Sequence, residues 1–258
     1  MGEGSAVPLL ERAERDALED LYRAAPPDRA AGAERIGGAT VLLAPGLPAF
    51  FNRAFAFGID EPVSEDGIDA ILAALRPASA FYVQPPPGAS EIEGWLAARG
   101  LKTEWTWAKV MRGTEPPPEI PTNLEIRELA EDEADRFGAV VATAFGLPDV
   151  LAPWCAALLG RPGWRAYGAF DHDALVAAGA LYVEGDVGWL GMAGTLPFHR
   201  RRGAQGALMT RRIADAIALG CTAIATETGI LPDRPNPSLD NMLRCGFAIA
   251  YERPVWAK

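Results

Sequence analysis

A short stretch of this 258-residue sequence concentrates five arginines and two glycines. It reads RRRGAQGALMTRR over residues 200–212, contains no acid, and follows an apolar run that ends at Pro197. Guanidinium groups donate paired hydrogen bonds that match phosphate oxygens, and glycine allows the backbone to approach a ligand. A helix that begins here adds unpaired N–H groups and its dipole. The stretch therefore predicts a phosphate-binding loop.

A plain turn into an amphipathic helix is the alternative interpretation of the same residues. Apolar residues recur at helical spacing at Met209, Ile213, Ala216 and Ile217. They predict a buried face in either case, with the arginines on the solvated face. In the phosphate-loop interpretation, Arg211 and Arg212 are expected to extend the positive patch along the helix. Because the whole chain has a net charge of -10, so local an excess of arginine favours anion binding.

The order of strand, Pro197, basic loop and helix resembles the acetyl-CoA signature of the GCN5-related N-acetyltransferases, Arg/Gln-x-x-Gly-x-Gly/Ala. Arg200, Gly203 and Gln205 take its three fixed positions. Gln205 departs from the usual Gly or Ala, and Gly206 follows at once. The resemblance covers about residues 123–258. It implies the α/β (α+β) fold of that family and acetyl-CoA as the donor, with no metal.

The resemblance also implies which residues hold the coenzyme. The backbone of the strand before the loop would pair with the pantetheine arm at Ala193, Gly194, Thr195 and Leu196. The pyrophosphate would bind at Arg200, Arg201, Arg202, Gly203, Ala204, Gln205, Gly206 and Ala207. Asn236 resembles the family asparagine that reaches the cofactor, although Asn-Pro is also an ordinary turn signal, and Asn241 is a second option.

Acetyl transfer to an amine requires a base for the nucleophile and an acid for the departing thiolate. Glu227, at the exit of an apolar strand, is the leading base, because partial burial raises a carboxyl pKa toward useful basicity. Its alternative is a solvated strand end or a hydrogen bond into the next loop. Glu184 and His199 are weaker candidates. The place of the tyrosine acid that the resemblance implies holds Met242 or a close neighbour, so solvent or another group would protonate the thiolate.

Strand and helix patterns alternate on both sides of a proline-rich segment, which indicates layered α/β units. Its four prolines are Pro116, Pro117, Pro118 and Pro121, and they continue neither a helix nor a central strand. We therefore expect a first domain at residues 1–114, a linker at 115–122 and a second domain at 123–258. Among the local elements, we expect a helix capped by Ser64, a turn at DHD around His172, and a helix at about residues 150–159.

A weak internal repeat supports two related domains. WLAARGLKTEWTWAKV and NMLRCGFAIAYERPVW share a short helix, a glycine and a strand. We expect two tandem acetyltransferase-like domains, each with a mixed, mostly antiparallel sheet flanked by helices. The first copy is expected to be degenerate, because acids surround the start of its helix and repel a pyrophosphate at Asp60, Glu61, Glu65 and Asp66. That half is expected to wall the acceptor site or to supply a homodimer surface.

Composition narrows the class of protein. No apolar run is long enough to span a membrane and no signal peptide is visible, so we expect a cytoplasmic protein without a membrane partner. The acidic balance disfavours nucleic acid and tilts toward cationic partners. Three cysteines, Cys155, Cys221 and Cys245, show no metal or disulfide spacing and predict buried thiols. With two histidines in the chain, no metal site is expected.

The preferred interpretation is an acetyl-CoA-dependent N-acetyltransferase that acts on a primary amine of a small molecule or peptide. A second is an acyl-CoA-binding sensor that has lost the chemistry. A third is an assembly unit whose arginines meet an acidic partner.

Overall fold

A computed structural model of the chain describes residues 3–231 and 233–258. These residues form two compact units, and each is assembled from separated segments. The first comprises Met1–Lys109, Glu227–Asn236 and Ile249–Lys258, and the second comprises Val110–Thr226 and Pro237–Ala248. The compact units divide the chain at positions other than residues 114 and 123. The domain boundaries expected there stay a prediction.

The first unit contains three helices in its described part, α1 (Glu3–Arg23), α2 (Glu65–Leu75) and α3 (Ser90–Ala98). Its strands are β1 (Gly32–Ile36), β2 (Ala39–Leu43), β3 (Arg53–Phe55), β4 (Tyr82–Val83), and most of β5 (Lys102–Arg112) and β11 (Ala248–Ala257). Strand β2 pairs antiparallel with β1 and β3, β3 pairs parallel with β4, and β4 pairs antiparallel with β11. The first unit thus takes a strand from the far end of the chain.

The apolar face of α2 helps to build the core of the first unit. Ile68, Ile71 and Leu75 recur at helical spacing and are fully buried. The helix begins as expected, because the Ser64 hydroxyl accepts the Gly67 N–H at 3.1 Å. The predicted cap is therefore confirmed.

The second unit contains α4 (Ala134–Phe145), α5 (Ala152–Ala156), α6 (Ala204–Ala218) and α7 (Pro237–Arg244). Its strands are β6 (Glu125–Glu128), β7 (Trp164–Asp171), β8 (Ala174–Glu184), β9 (Val187–Thr195) and the first half of β10 (Ala223–Ile230). Strands β6 to β9 pair antiparallel in chain order, and β9 pairs parallel with β10. Helices α4 and α6 both contact β8 and β9.

The two units share one pairing pattern, in which successive antiparallel strands are followed by a parallel pair. The expected fold, two tandem domains with mixed, mostly antiparallel sheets and flanking helices, is confirmed. The DHD turn is also confirmed, with His172 at φ +54° between β7 and β8. The three cysteines are free and buried, as predicted.

The structure differs from the sequence prediction in two local elements, one that was missed and one that is shorter than expected. Strand β1 was not expected, because most of its side chains are exposed and it lacks an apolar alternation. The helix expected at about residues 150–159 is shorter, since α5 spans five residues and is preceded by a 3-10 turn at Asp149–Leu151. Within the described residues, none of the helices combines the length and the apolar composition needed to cross a membrane.

Candidate active site

Strand β9, which leads into the arginine loop, contains a β-bulge. Ala180 lies opposite Gly191 and Ala178 lies opposite Gly194. Met192 and Ala193 of β9 therefore share one position of β8, and Met192 adopts φ +51°. A bulge leaves backbone groups without ladder partners and reorients the strand. A non-glycine residue at positive φ is uncommon and concentrates at functional sites.

The other side of β9 is only partly paired. Its parallel register with β10 covers Val187, Gly188 and Trp189. One step further, the Thr226 hydroxyl donates to the Leu190 carbonyl at 2.7 Å. In the described part of the chain the ladder ends there, before the bulge, so residues 191–195 have one strand edge that does not pair with β10.

This open edge includes three of the four residues expected to contact pantetheine, Ala193, Gly194 and Thr195. The fourth, Leu196, donates its N–H to the Val176 carbonyl at 3.0 Å and is thereby tied to β8.

The loop after β9 ends at an uncapped helix N-terminus. A 3-10 turn spans Pro197–His199, and Gly203 at φ +81° is the N-cap residue of α6. No side chain caps the helix, and its first turn contains no acid. The first N–H groups of a helix have no acceptor within it, so those of Ala204, Gln205 and Gly206 are available to an anion. The predicted helix start is confirmed.

The loop arginines do not act as one patch. Arg200 and Arg201 are exposed. Arg200 donates to the Thr195 carbonyl at 3.3 Å, and Arg201 has no polar partner among the described residues. Arg202 instead forms an ion pair with Asp171 at 2.5 Å and lowers the pKa of that carboxyl. The charge free to meet a phosphate is therefore carried by Arg200 and Arg201.

The expected extension of the patch along α6 is wrong. Arg211 pairs with Asp215 one turn further along the helix, at 3.0 Å. Arg212 is 1% exposed and lies in the interior of the second unit. Helical spacing places Arg212 four residues after Leu208 and four before Ala216, which are also buried, and this signal was available in the sequence.

The loop glycines are required for a reason other than ligand approach. A Cβ atom on Gly203 would lie 2.4 Å from the Pro121 carbonyl oxygen, and one on Gly206 would lie 2.7 Å from Ile120 Cγ2. The Thr210 hydroxyl also donates to the Pro118 carbonyl at 2.9 Å. The proline-rich segment thus runs along α6, and glycine provides the space for it. Sequence patterns do not reveal such a distant contact.

Gln205, the departure from the family signature, has a defined structural role. Its side-chain amide donates to the Thr195 hydroxyl at 2.9 Å. This hydrogen bond joins the first turn of α6 to the end of β9. Its neighbours Ala204 and Ala207 are buried.

Glu184 is not brought to the loop. It is the last residue of β8 and pairs with Val187, at the end of β9 opposite to Thr195. At about 3.4 Å per residue, these ends are roughly 25 Å apart. The Tyr182 hydroxyl donates to the Glu184 carboxylate at 2.8 Å.

The remaining candidates have local partners. Asn236 donates to the Gly229 carbonyl at 2.9 Å, and Asn241 on α7 accepts from Arg244. His199 lies 3.6 Å from Asp171. These contacts leave the expected roles of the three residues as predictions.

Glu227, the predicted base, belongs to a buried charged cluster in the first unit, which we define as Glu11, Glu14, Lys109, Glu227 and Arg253. The Glu227 carboxylate pairs with Lys109 and lies 3.9 Å from Arg253. Lys109 also binds Glu14 at 2.8 Å, and Arg253 binds Glu14 at 2.6 Å and Glu11 at 2.8 Å. The side chain of Glu227 is 9% exposed, so it is not a solvated strand end.

Within the charged cluster, the pKa values of Glu227 and Glu14 are shifted in opposite directions. Burial raises the pKa of Glu227, and the neighbouring Glu14 carboxylate adds to this increase. Burial opposes the ionisation of Glu14 too, yet Arg253 and Lys109 hold its pKa well below the ordinary value. Lys109 is 118 residues from Glu227 in the chain. The one sequence signal for this contact is a lysine within the apolar, aromatic strand WTWAKVM.

No tyrosine occupies the place expected for the acid. Met242 lies there and is buried. Tyr251 is also buried, and its hydroxyl donates to Glu11 at 2.6 Å.

We expect Glu14→Gln to lower the free energy of unfolding at pH 7 by about 3 kcal/mol, because it leaves buried cations without their carboxylate. A carboxyl with a depressed pKa stabilises the fold above its ordinary pKa of 4.5, and this contribution is lost as the pH falls below that value. Urea unfolding from pH 7 to pH 3 should show the two proteins converging at low pH. Glu91→Gln, at an exposed residue outside the cluster, should have little effect. A difference that is independent of pH would contradict this account.

Comparison with known proteins identifies a family that part of the chain matches. Residues 126–247 match the family model described as the acetyltransferase (GNAT) family. No curated protein gives a significant match to the chain.

Solved structures show the same fold. A GCN5-related N-acetyltransferase from Kribbella flavida is 18% identical with a TM-score of 0.67, and the match covers 100% of this chain and 96% of that one. A tandem GNAT protein from the clavulanic acid biosynthesis pathway is 18% identical with a TM-score of 0.64, over 95% of this chain and 87% of that one. A GCN5-related N-acetyltransferase from Sphaerobacter thermophilus is 15% identical with a TM-score of 0.63, over 86% and 80%. Residues 126–247 therefore match the acetyltransferase (GNAT) family, and the chain as a whole has the fold of these GNAT structures, one of which is a tandem GNAT protein.

Proposed function

We propose that this protein is an acetyl-CoA-dependent N-acetyltransferase that acts on a primary amine of a small molecule or peptide. One observation carries the proposal, namely that the half-open, bulged edge of β9 leads directly into the uncapped N-terminus of α6. The match of residues 126–247 to the acetyltransferase (GNAT) family supports acyl transfer in general. That the donor is acetyl-CoA and the acceptor is an amine is what we propose beyond that match.

The second unit has the chemical groups that coenzyme A requires. The N–H groups at the start of α6 and the guanidinium groups of Arg200 and Arg201 would bind the pyrophosphate. The open edge at residues 193–195 would hydrogen-bond the pantetheine amides. When bound, acetyl-CoA supplies the thioester that the amine attacks. Backbone N–H groups at the bulge would stabilise the oxyanion that develops there.

Glu227 is the proposed general base. It directly follows Thr226, which is bonded to β9 at the residue before the open edge. A carboxyl whose pKa is raised by burial accepts a proton closer to neutral pH than an exposed one does. The net charge of -10 favours a cationic acceptor. Cytoplasmic location, a homodimer, and the absence of nucleic-acid and membrane partners stay predictions.

An acyl-CoA-binding sensor is the second candidate function. It is favoured by the buried Met242 at the place of the usual tyrosine acid and by the engagement of the Tyr251 hydroxyl with Glu11. A sensor would keep the coenzyme site without turnover.

Coenzyme A binding tests the donor site. We expect the double variant Arg200→Glu/Arg201→Glu to bind coenzyme A about 10²- to 10⁴-fold more weakly in calorimetry, since each of the two charged hydrogen bonds contributes about 1.5–3 kcal/mol. Both side chains are exposed, so the fold should be kept. Arg76→Glu/Lys102→Glu changes the net charge equally at exposed positions of the first unit and should bind normally. Equal binding by the two variants, or no binding by the unmodified protein, would refute the site.

Turnover tests the chemistry. Release of free thiol from acetyl-CoA with a panel of primary amines should identify an acceptor, and Glu227→Gln should lower kcat about 10²- to 10⁴-fold without changing coenzyme A affinity. Glu91→Gln should keep full activity. Coenzyme A binding without turnover for any amine would favour the sensor, whereas an unchanged kcat in Glu227→Gln would exclude Glu227 as the base.

A further inference from the structure

Arg212 of α6 is a buried charge without a carboxylate partner in the described part of the chain. It is 1% exposed, and burial lowers its pKa to about 10, so it remains protonated at neutral pH. Its Nε donates to the Leu208 carbonyl of its own helix at 3.1 Å. Burying a charge in this way is costly, and an apolar side chain would fill the space at lower cost. The arginine therefore needs another explanation.

The guanidinium group lies at the bulge of β9. Its Nη1 donates to the Ala180 carbonyl at 3.1 Å and to the Gly191 carbonyl at 3.3 Å. Ala180 and Gly191 are the last regular pair before the register shifts. Opposite the bulge, a Cβ atom on Gly179 would lie 2.8 Å from the guanidinium carbon. Gly179 thus provides the space that Arg212 occupies.

One of these hydrogen bonds fixes the direction of a backbone N–H. The Gly191 carbonyl and the Met192 N–H belong to the same planar, trans peptide group, in which they point in opposite directions. Because Arg212 holds the carbonyl toward α6, the Met192 N–H must point away from that helix. A cation on the carbonyl also polarises the peptide group and makes its N–H a stronger donor.

We propose that Arg212 is a positioning residue, which holds the bulge so that the Met192 N–H is directed and polarised for the thioester carbonyl. This inference rests on the proposed function. In this inference, the buried Arg212 side chain stabilises the unusual backbone conformation of Met192, which has φ +51°.

The experiment compares Arg212→Met, Arg212→Lys and the unmodified protein. Arg211→Met is the matched control, because its arginine lies next in the same helix and pairs with Asp215. We expect Arg212→Met to lower kcat about 10²-fold, which is the usual loss for one oxyanion donor, with the KM for acetyl-CoA changed less than about twofold. Arg212→Lys, which keeps the charge, should recover part of kcat. Near-ultraviolet circular dichroism confirms that each variant is folded, and Arg212→Lys carries the test if Arg212→Met does not fold.

Amide hydrogen exchange provides a readout that does not need activity. Exchange across β8 and β9 should be faster in Arg212→Met than in Arg211→Met. Equal exchange, or a kcat in folded Arg212→Met equal to that of Arg211→Met, would overturn the inference. Absence of turnover in the unmodified protein would instead refute the proposed function, and hydrogen exchange would then decide whether Arg212 holds the bulge.

Discussion

Strand β9 pairs with both β8 and β10 at its start and with β8 alone at its end. The parallel ladder with β10 ends at Trp189, and the bulge at Met192 follows within a few residues. An open strand edge is ordinarily a liability, because its unpaired backbone groups seek a partner. Here the uncapped start of α6, whose first N–H groups could bind an anion, lies directly beyond that edge. The proposed ligand would therefore hydrogen-bond both the open edge of β9 and the first N–H groups of α6.

The sequence predicted the loop, the helix start and the fold better than it predicted the contacts of individual side chains. The loop, the helix start and the fold follow from local spacing and from the family resemblance. That Arg202 is engaged by an acid, that Arg212 is buried, and that Gly206 makes room for Ile120 all depend on contacts between distant segments. The partner of Glu227 lies 118 residues away, at Lys109. Such pairs are set by topology, which a local pattern does not contain.

The first unit shows how a related fold can lose an open edge. It has the same succession of antiparallel and parallel strands, and Ala56, directly after β3, also has a positive φ of 53°. In this unit, however, the Ala56 N–H donates to the Glu11 carboxylate of α1 at 3.2 Å. At the start of α2, Ser64 accepts one of the free N–H groups and acids follow in the first turn. A carboxylate and a hydroxyl of the first unit thus accept backbone N–H groups of the kind that the second unit leaves open, which agrees with the prediction of a degenerate first copy.

A crystal structure of the protein with coenzyme A is the most direct test of the central claim that the β9 edge and the α6 N-terminus form one donor site. The account predicts the pyrophosphate within hydrogen-bonding distance of the N–H groups at the start of α6, with Arg200 and Arg201 nearby and the thiol beside the bulge at Met192. A coenzyme bound elsewhere, or bound with the β9 edge still vacant, would contradict it.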